Sequence, residues 1–240
     1  MTTRREILKA GAGLTAILAA GKAPAYLVRS MLGVRNALMT GKRLPYDAEI
    51  EYLESTGVQW IDSGVQFDAN VGFWIDGQYV EYAVQNFPVI IGSESADGDY
   101  YKEVYVAYTT KDTTVNADQS GWGRDAQTDV ECAGERFTCH FNYLNDGEIL
   151  LQCGIDSSQD VLSASNAPAR IGLFAAMNEN HEPKVFSKAR IYGCRISSGS
   201  VLVRDFVPVR KGTIGYLYDR VSGQLFGNAG TGDFVLGPDK

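Results

Sequence analysis

From Tyr46 to the C-terminus, apolar residues recur at every second position in short runs, and glycine, asparagine or aspartate breaks the runs apart. A period of two puts alternate side chains on opposite faces of an extended chain, and a helix cannot use that pattern. In Gly72–Tyr82 the residues Phe73, Ile75 and Tyr79 share one face. In Lys102–Tyr108 it is Val104, Val106 and Tyr108, and Pro88–Ile91 is a short apolar run ended by Gly92-Ser93. Val58–Phe67 reads as two short runs turning at Asp62-Ser63-Gly64, and Asn145-Asp146-Gly147 marks a hairpin because glycine accepts positive φ cheaply. Further runs cover Ala169–Ala175, Ala189–Ile196 and Val201–Val209, and a closing hairpin from Tyr216 to Phe226 turns near Ser222-Gly223. About ten to twelve strands at this spacing, with no long helical pattern after residue 45, predict an all-β fold: a two-sheet antiparallel sandwich over residues 46–240.

The first 45 residues differ in texture. They hold eight Lys or Arg and one acidic residue, whereas the whole chain carries −7, which leaves the remainder at −14. So acidic a body repels phosphate, which argues against nucleic acid as a partner. Met1–Lys9 is basic, Ala10–Gly21 is apolar and small, and Ala23-Pro24-Ala25 fits a small-x-small cleavage site, the layout of an export signal. The apolar run is too short to span a bilayer, which needs about 20 residues. Thr3-Arg4-Arg5-Glu6-Ile7-Leu8-Lys9 resembles a twin-arginine translocation signal, with Ile7 where phenylalanine is commoner. That resemblance implies a bacterial source and export of a folded protein to the periplasm, cell surface or medium. Residues 1–25 are then the signal, marked by Arg4, Arg5, Ala23 and Ala25, and residues 26–45 a basic amphipathic spacer. Membrane contact is expected only through this N-terminal helical arm.

The closing motifs Ala189–Ile196, Leu202–Pro208, Gly215–Asp219 and Asn228–Gly232, with Ile50–Gly57 and Gln59–Gly64, resemble laminin-G-like, concanavalin-A-like jelly rolls of bacterial surface and prophage-associated proteins. The resemblance covers residues 46–238 and implies a jelly-roll fold, with function only loosely attached.

Chemistry is harder to find. Glucan hydrolases of the concanavalin-A-like group place carboxylates along one strand, and no strand here repeats that pattern; Glu49, Glu51 and Glu54 straddle a strand start and read as a solvated edge. His140 sits in an alternating strand beside Cys139, and His181 in a polar loop. No nucleophile elbow, phosphate loop or zinc-protease helix occurs, so the chain reads as a non-enzyme, with a glycan hydrolase of unfamiliar site as the weaker alternative. No cofactor is expected. Calcium at Asp97 and Asp99 is the one metal option, because laminin-G-like domains sometimes hold calcium at a loop rim; the same residues are also good turn formers. For a sugar, the best candidates are Trp122, Arg124 and Asp125, an aromatic among hydrogen-bonding groups between glycines, with Tyr100 and Tyr101 second. A three-residue loop at Asn145–Gly147 sets Cys139 opposite Cys153, a pair that an exported protein could oxidise; a two-residue loop sets Cys139 opposite Gly154, and buried free thiols are the alternative state. The leading expectation is an exported, non-catalytic module that recognises carbohydrate or a cell-surface protein. A structural or assembly protein, with Met1–Arg43 as a docking arm, is the second.

Overall fold

The computed structural model describes residues 43–80, 87–95, 101–108, 113–120, 126–132, 134–162 and 169–240. All its strands belong to one compact unit, Leu44–Lys240. In chain order they are β1 (Ala48–Glu49), β2 (Leu53–Glu54), β3 (Ile61–Gln66), β4 (Val71–Tyr79), β5 (Val89–Glu94), β6 (Tyr101–Tyr108) and β7 (Thr113–Ser120). There follow β8 (Ala126–Glu131), β9 (Arg136–Phe141), β10 (Glu148–Cys153), β11 (Asp156–Val161), β12 (Arg170–Leu173), β13 (Ala176–Met177) and β14 (Pro183–Lys184). The last are β15 (Ala189–Ser198), β16 (Val201–Lys211), β17 (Ile214–Asp219), β18 (Gln224–Phe226) and β19 (Val235–Leu236).

Two sheets form the sandwich. The first runs β11-β10-β9-β4-β15-β16-β17-β18, with β1 on β16, β2 on β15 and β19 on β2. The second runs β14-β13-β5-β6-β7-β8, and β12 joins β3 to β5. Pairing is antiparallel throughout, apart from the two residues of β13 beside β5. The expected all-β, two-sheet architecture is therefore what forms. Alternation explains it: Val71, Phe73, Ile75 and Tyr79 of β4 point inward and are buried, as are Phe137, Cys139 and Phe141 of β9. Gly77 fills the inward slot between Ile75 and Tyr79, where a Cβ would stand 2.7 Å from Ile90. On the outer face of the first sheet, arginines lie on aromatic rings and bind carboxylates at the same time. Arg136 stacks on Tyr192 at 3.8 Å and pairs with Asp76; Arg190 lies 4.3 Å over Tyr52 and pairs with Glu54; Arg195 lies 4.8 Å over Trp74 and pairs with Asp205.

Three local expectations need correcting. Asp62-Ser63-Gly64 does not turn the chain. It lies inside β3, where Gly64 has φ +70° and the Asp62 carboxylate accepts its N–H at 2.7 Å. The ladder with β12 slips at this point, from Arg170↔Gln66 to Gly172↔Asp62, so the glycine serves a bulge rather than a hairpin. The Glu49–Glu54 segment is not simply solvated: Glu49 pairs with Arg220 at 3.1 Å and Glu54 with Arg190 at 2.5 Å.

The third correction concerns the disulfide. The β9–β10 connection is longer than three residues, closed by the Asn142 N–H on the Glu148 carbonyl at 2.8 Å. Cys139 therefore faces Leu151, and Cys153 faces Phe137. Cys139 and Cys153 sit two rungs apart, a diagonal of about 7–8 Å that a disulfide does not bridge. Cys153 bonds instead to Cys132, with a Cα–Cα distance of 6.0 Å, while Cys139 and Cys194 are buried free thiols. Cys132 directly follows β8 of the second sheet, so the bond staples one edge of the sandwich shut. Cross-linking residues 21 apart is worth about 3 kcal/mol through the unfolded chain. A Cys132→Ala/Cys153→Ala variant should lose that much in urea titration, and a loss indistinguishable from zero would show that the sheets hold this edge unaided.

Candidate functional site

Strands β5, β6 and β7 place their alternate residues on the outer face of the second sheet. Glu94 stands opposite Tyr101, Gly92 opposite Glu103, and Glu103 opposite Asp118. A cleft of about 420 Å³ opens there, lined by Phe87, Glu94, Tyr101, Glu103, Tyr105, Asp118 and Val185. Its floor is acidic and its walls are aromatic. Phe87 is 61% exposed and meets Tyr105 edge-on at 5.5 Å. Although they face outward, Glu103 and Asp118 are only 8% and 7% exposed.

Each carboxylate has a different environment. Glu94 is neutralised by Lys184 Nζ at 3.0 Å, which also donates to the Ser95 carbonyl. Asp118 accepts the Tyr105 hydroxyl at 3.0 Å. Glu103 Oε2 is buried and has no hydrogen-bond partner among the described residues. Burial pushes the Glu103 carboxyl well above its ordinary range; the charges of Glu94 and Asp118 add to this, and Lys184 opposes it. Burial also raises the Tyr105 phenol, helped by Asp118, so that hydroxyl remains a donor. Gly92 makes the arrangement feasible, because a Cβ there would come 2.5 Å from the Glu103 Cβ.

A buried acid with this shift costs stability. The unfolded carboxyl titrates near 4.5 and the folded one higher. Between those values the folded state holds the extra proton, so stability falls as pH climbs through the interval. Above it a charged, unpartnered oxygen stays buried. Glu103→Gln should therefore raise the melting temperature at pH 8, through a stability gain on the order of 1 kcal/mol, with no difference near pH 4. A variant that melts lower than the wild type at pH 8 would contradict this account of the cleft.

Two other cavities are less suited to a ligand. One of about 500 Å³ lies between Asp76, Arg136 and the Gly154-Ile155 hairpin tip, but its Asp76 and Arg136 are already locked in a two-bond pair at 2.6 Å each, which leaves Asp156 as its remaining charged group. A smaller one, about 180 Å³, is lined by Lys102, Gln119, Asn142 and Asp146. Burial lowers the Lys102 amine to about 8, and its Nζ lies 4.9 Å over the Phe67 ring.

Among the residues singled out from sequence, Tyr101 lines the acidic cleft. Tyr100, Trp122, Arg124 and Asp125 lie outside the described residues, as do Asp97, Asp99, Arg4, Arg5, Ala23 and Ala25. Among the described residues, no three His, Cys, Asp or Glu side chains gather as a metal site. His140 and Cys139 are on opposite faces of β9, since Cys139 is fully buried and His140 packs 5.8 Å from Tyr143 on the outside. Carboxylates repeated along one strand are not what builds the cleft: Glu94, Glu103 and Asp118 come from three neighbouring strands. Only Glu103 carried a signal, as an acidic residue inside the alternating run Lys102–Tyr108; Glu94 follows the Gly92-Ser93 break, and Asp118 stands in a polar stretch, TTVNADQS, with no apolar alternation.

No protein-family model matches the chain, and no curated protein matches it. Among solved structures it aligns with the native heptameric SAP-like pentraxin from Limulus polyphemus, at 9% identity and a TM-score of 0.38, over 81% of this chain and 96% of that one.

Proposed function

We propose that this protein is an exported recognition module that binds a saccharide in the Phe87–Tyr105 cleft without transforming it. The observation that carries the reading is the combination of two tyrosines and an exposed phenylalanine with three convergent carboxylates. A pyranose has an apolar face that packs on such rings and hydroxyls that donate to carboxylate oxygens. Glu103 Oε2, buried without a partner, is one acceptor that such a hydroxyl would satisfy. Trp122, Arg124 and Asp125 stand in sequence between β7 and β8, and Tyr100 precedes β6, so they are proposed as further contacts. Export is supported by the Arg4-Arg5 signal pattern and by a disulfide, which persists in oxidising compartments.

Glycan-array binding by the full chain, followed by titration calorimetry, tests the reading. Tyr105→Ala should weaken the best ligand by roughly tenfold or more while the fold stays intact. No binding to any glycan by a folded protein would overturn it. The directly opposed Glu103 and Asp118 also suit acid–base chemistry on a glycosidic bond, so reducing ends are measured in parallel. Reducing-end release that Glu103→Gln abolishes would replace recognition by hydrolysis. N-terminal mass spectrometry of the mature protein should read Tyr26; an intact Met1 or Thr2 would favour a docking arm.

A further inference from the structure

We infer that the saccharide bound in this cleft is a cationic amino sugar whose free ammonium group takes the Glu103 carboxylate as its partner. This rests on the saccharide reading above and specifies the ligand's charge. Three carboxylates line the cleft, and none of its described lining residues is a cation. Lys184 is committed to Glu94 and Ser95, so it does not neutralise Glu103 by direct contact. An ammonium group donates up to three hydrogen bonds and accepts none, which matches a surface that offers acceptors and negative charge. Tyr101, Tyr105 and Phe87 line the cleft together with the carboxylates, and a cation held against such rings gains further attraction. An N-acetylated sugar brings neither the charge nor the three donors.

The cleft's titration chemistry makes the inference measurable. The titratable and charged groups around Glu103 in the cleft are Glu94 from β5, Tyr105 and Tyr101 from its own strand, Asp118 from β7 and Lys184 from β14, and Tyr79 lies behind it in the core. Of these only Lys184 is cationic, so the empty cleft favours the protonated acid. An arriving ammonium reverses that balance, and the carboxyl gives its proton to solvent as the ion pair forms. Affinity then rises with pH until the ligand's own amine loses its charge, and salt weakens it.

The experiment uses full-length protein with four probes: a glucosamine hexamer, an N-acetylglucosamine hexamer, a glucose hexamer and polylysine. Calorimetry in two buffers of different ionisation heat counts protons. The expected result is that the glucosamine hexamer binds roughly tenfold or more tighter than the neutral hexamers, with a proton released on binding. Glu103→Gln should abolish both the preference and the proton release, and retained melting shows that the variant is folded. Equal binding of charged and neutral hexamers, or a preference untouched by Glu103→Gln, overturns the charge inference while leaving saccharide recognition standing. Polylysine binding as tight as the glucosamine hexamer overturns the sugar source, and silence from all four probes overturns the saccharide reading itself.

Discussion

Asp219→Ala should cost about 3–5 kcal/mol of folding stability, among the largest losses available to a single change here. Asp219 ends β17 with no exposed surface. Its Oδ1 accepts the backbone N–H of Asp205 at 2.8 Å and of Val221 at 3.0 Å, and its Oδ2 accepts Ser222 N–H at 3.2 Å. Arg204 lies 3.7 Å away and balances the charge. One carboxylate thus ties β16 to the β17–β18 turn. Its removal strands three backbone donors and leaves Arg204 without that partner, and alanine offers no acceptor. Asp219→Asn should lose less, because the amide oxygen keeps part of the set while its NH₂ meets donors. Urea titration checks both. A midpoint drop worth less than 1 kcal/mol for the alanine variant would show that water replaces the carboxylate without penalty.

A comparable loss, about 3–5 kcal/mol, is expected from Phe73→Ala. Phe73 sits in β4 at the middle of the first sheet, opposite Phe141 on one side and Ile196 on the other. Its ring stacks on Phe141 at 5.2 Å, and Phe67 meets both rings edge-on at 5.9 and 5.8 Å. Phe67 follows β3 of the other sheet, so this trio spans the two layers. An alanine leaves a cavity that flanking strands cannot close without breaking their ladders. Phe73→Leu should cost distinctly less, since it keeps most of the buried area. Equal losses for alanine and leucine would mean that ring geometry, rather than filled volume, sets the stability.

How far the sequence speaks for itself differs from feature to feature. The inward residues Phe73, Ile75 and Tyr79 of β4 were readable because alternation is local: each residue's face follows from its neighbours alone. The turn at Ser222-Gly223 was readable too, and Gly223 carries φ +75°. Asp62-Ser63-Gly64 misled because the same residue types serve a turn and a bulge, and only the ladder with β12 distinguishes them.

Order along the chain thus sufficed for the sandwich, its inward faces and its charge balance, since these depend on short-range periodicity and composition. Register and lateral strand order did not follow, because they depend on loop lengths and on which strands become neighbours. Register kept Cys153 from Cys139, the packing of one sheet on the other brought it to Cys132, and strand order set Glu94, Glu103 and Asp118 across three strands in one cleft. A charge brought beside other charges and away from water takes on properties that no residue has alone, and only the folded chain brings it there.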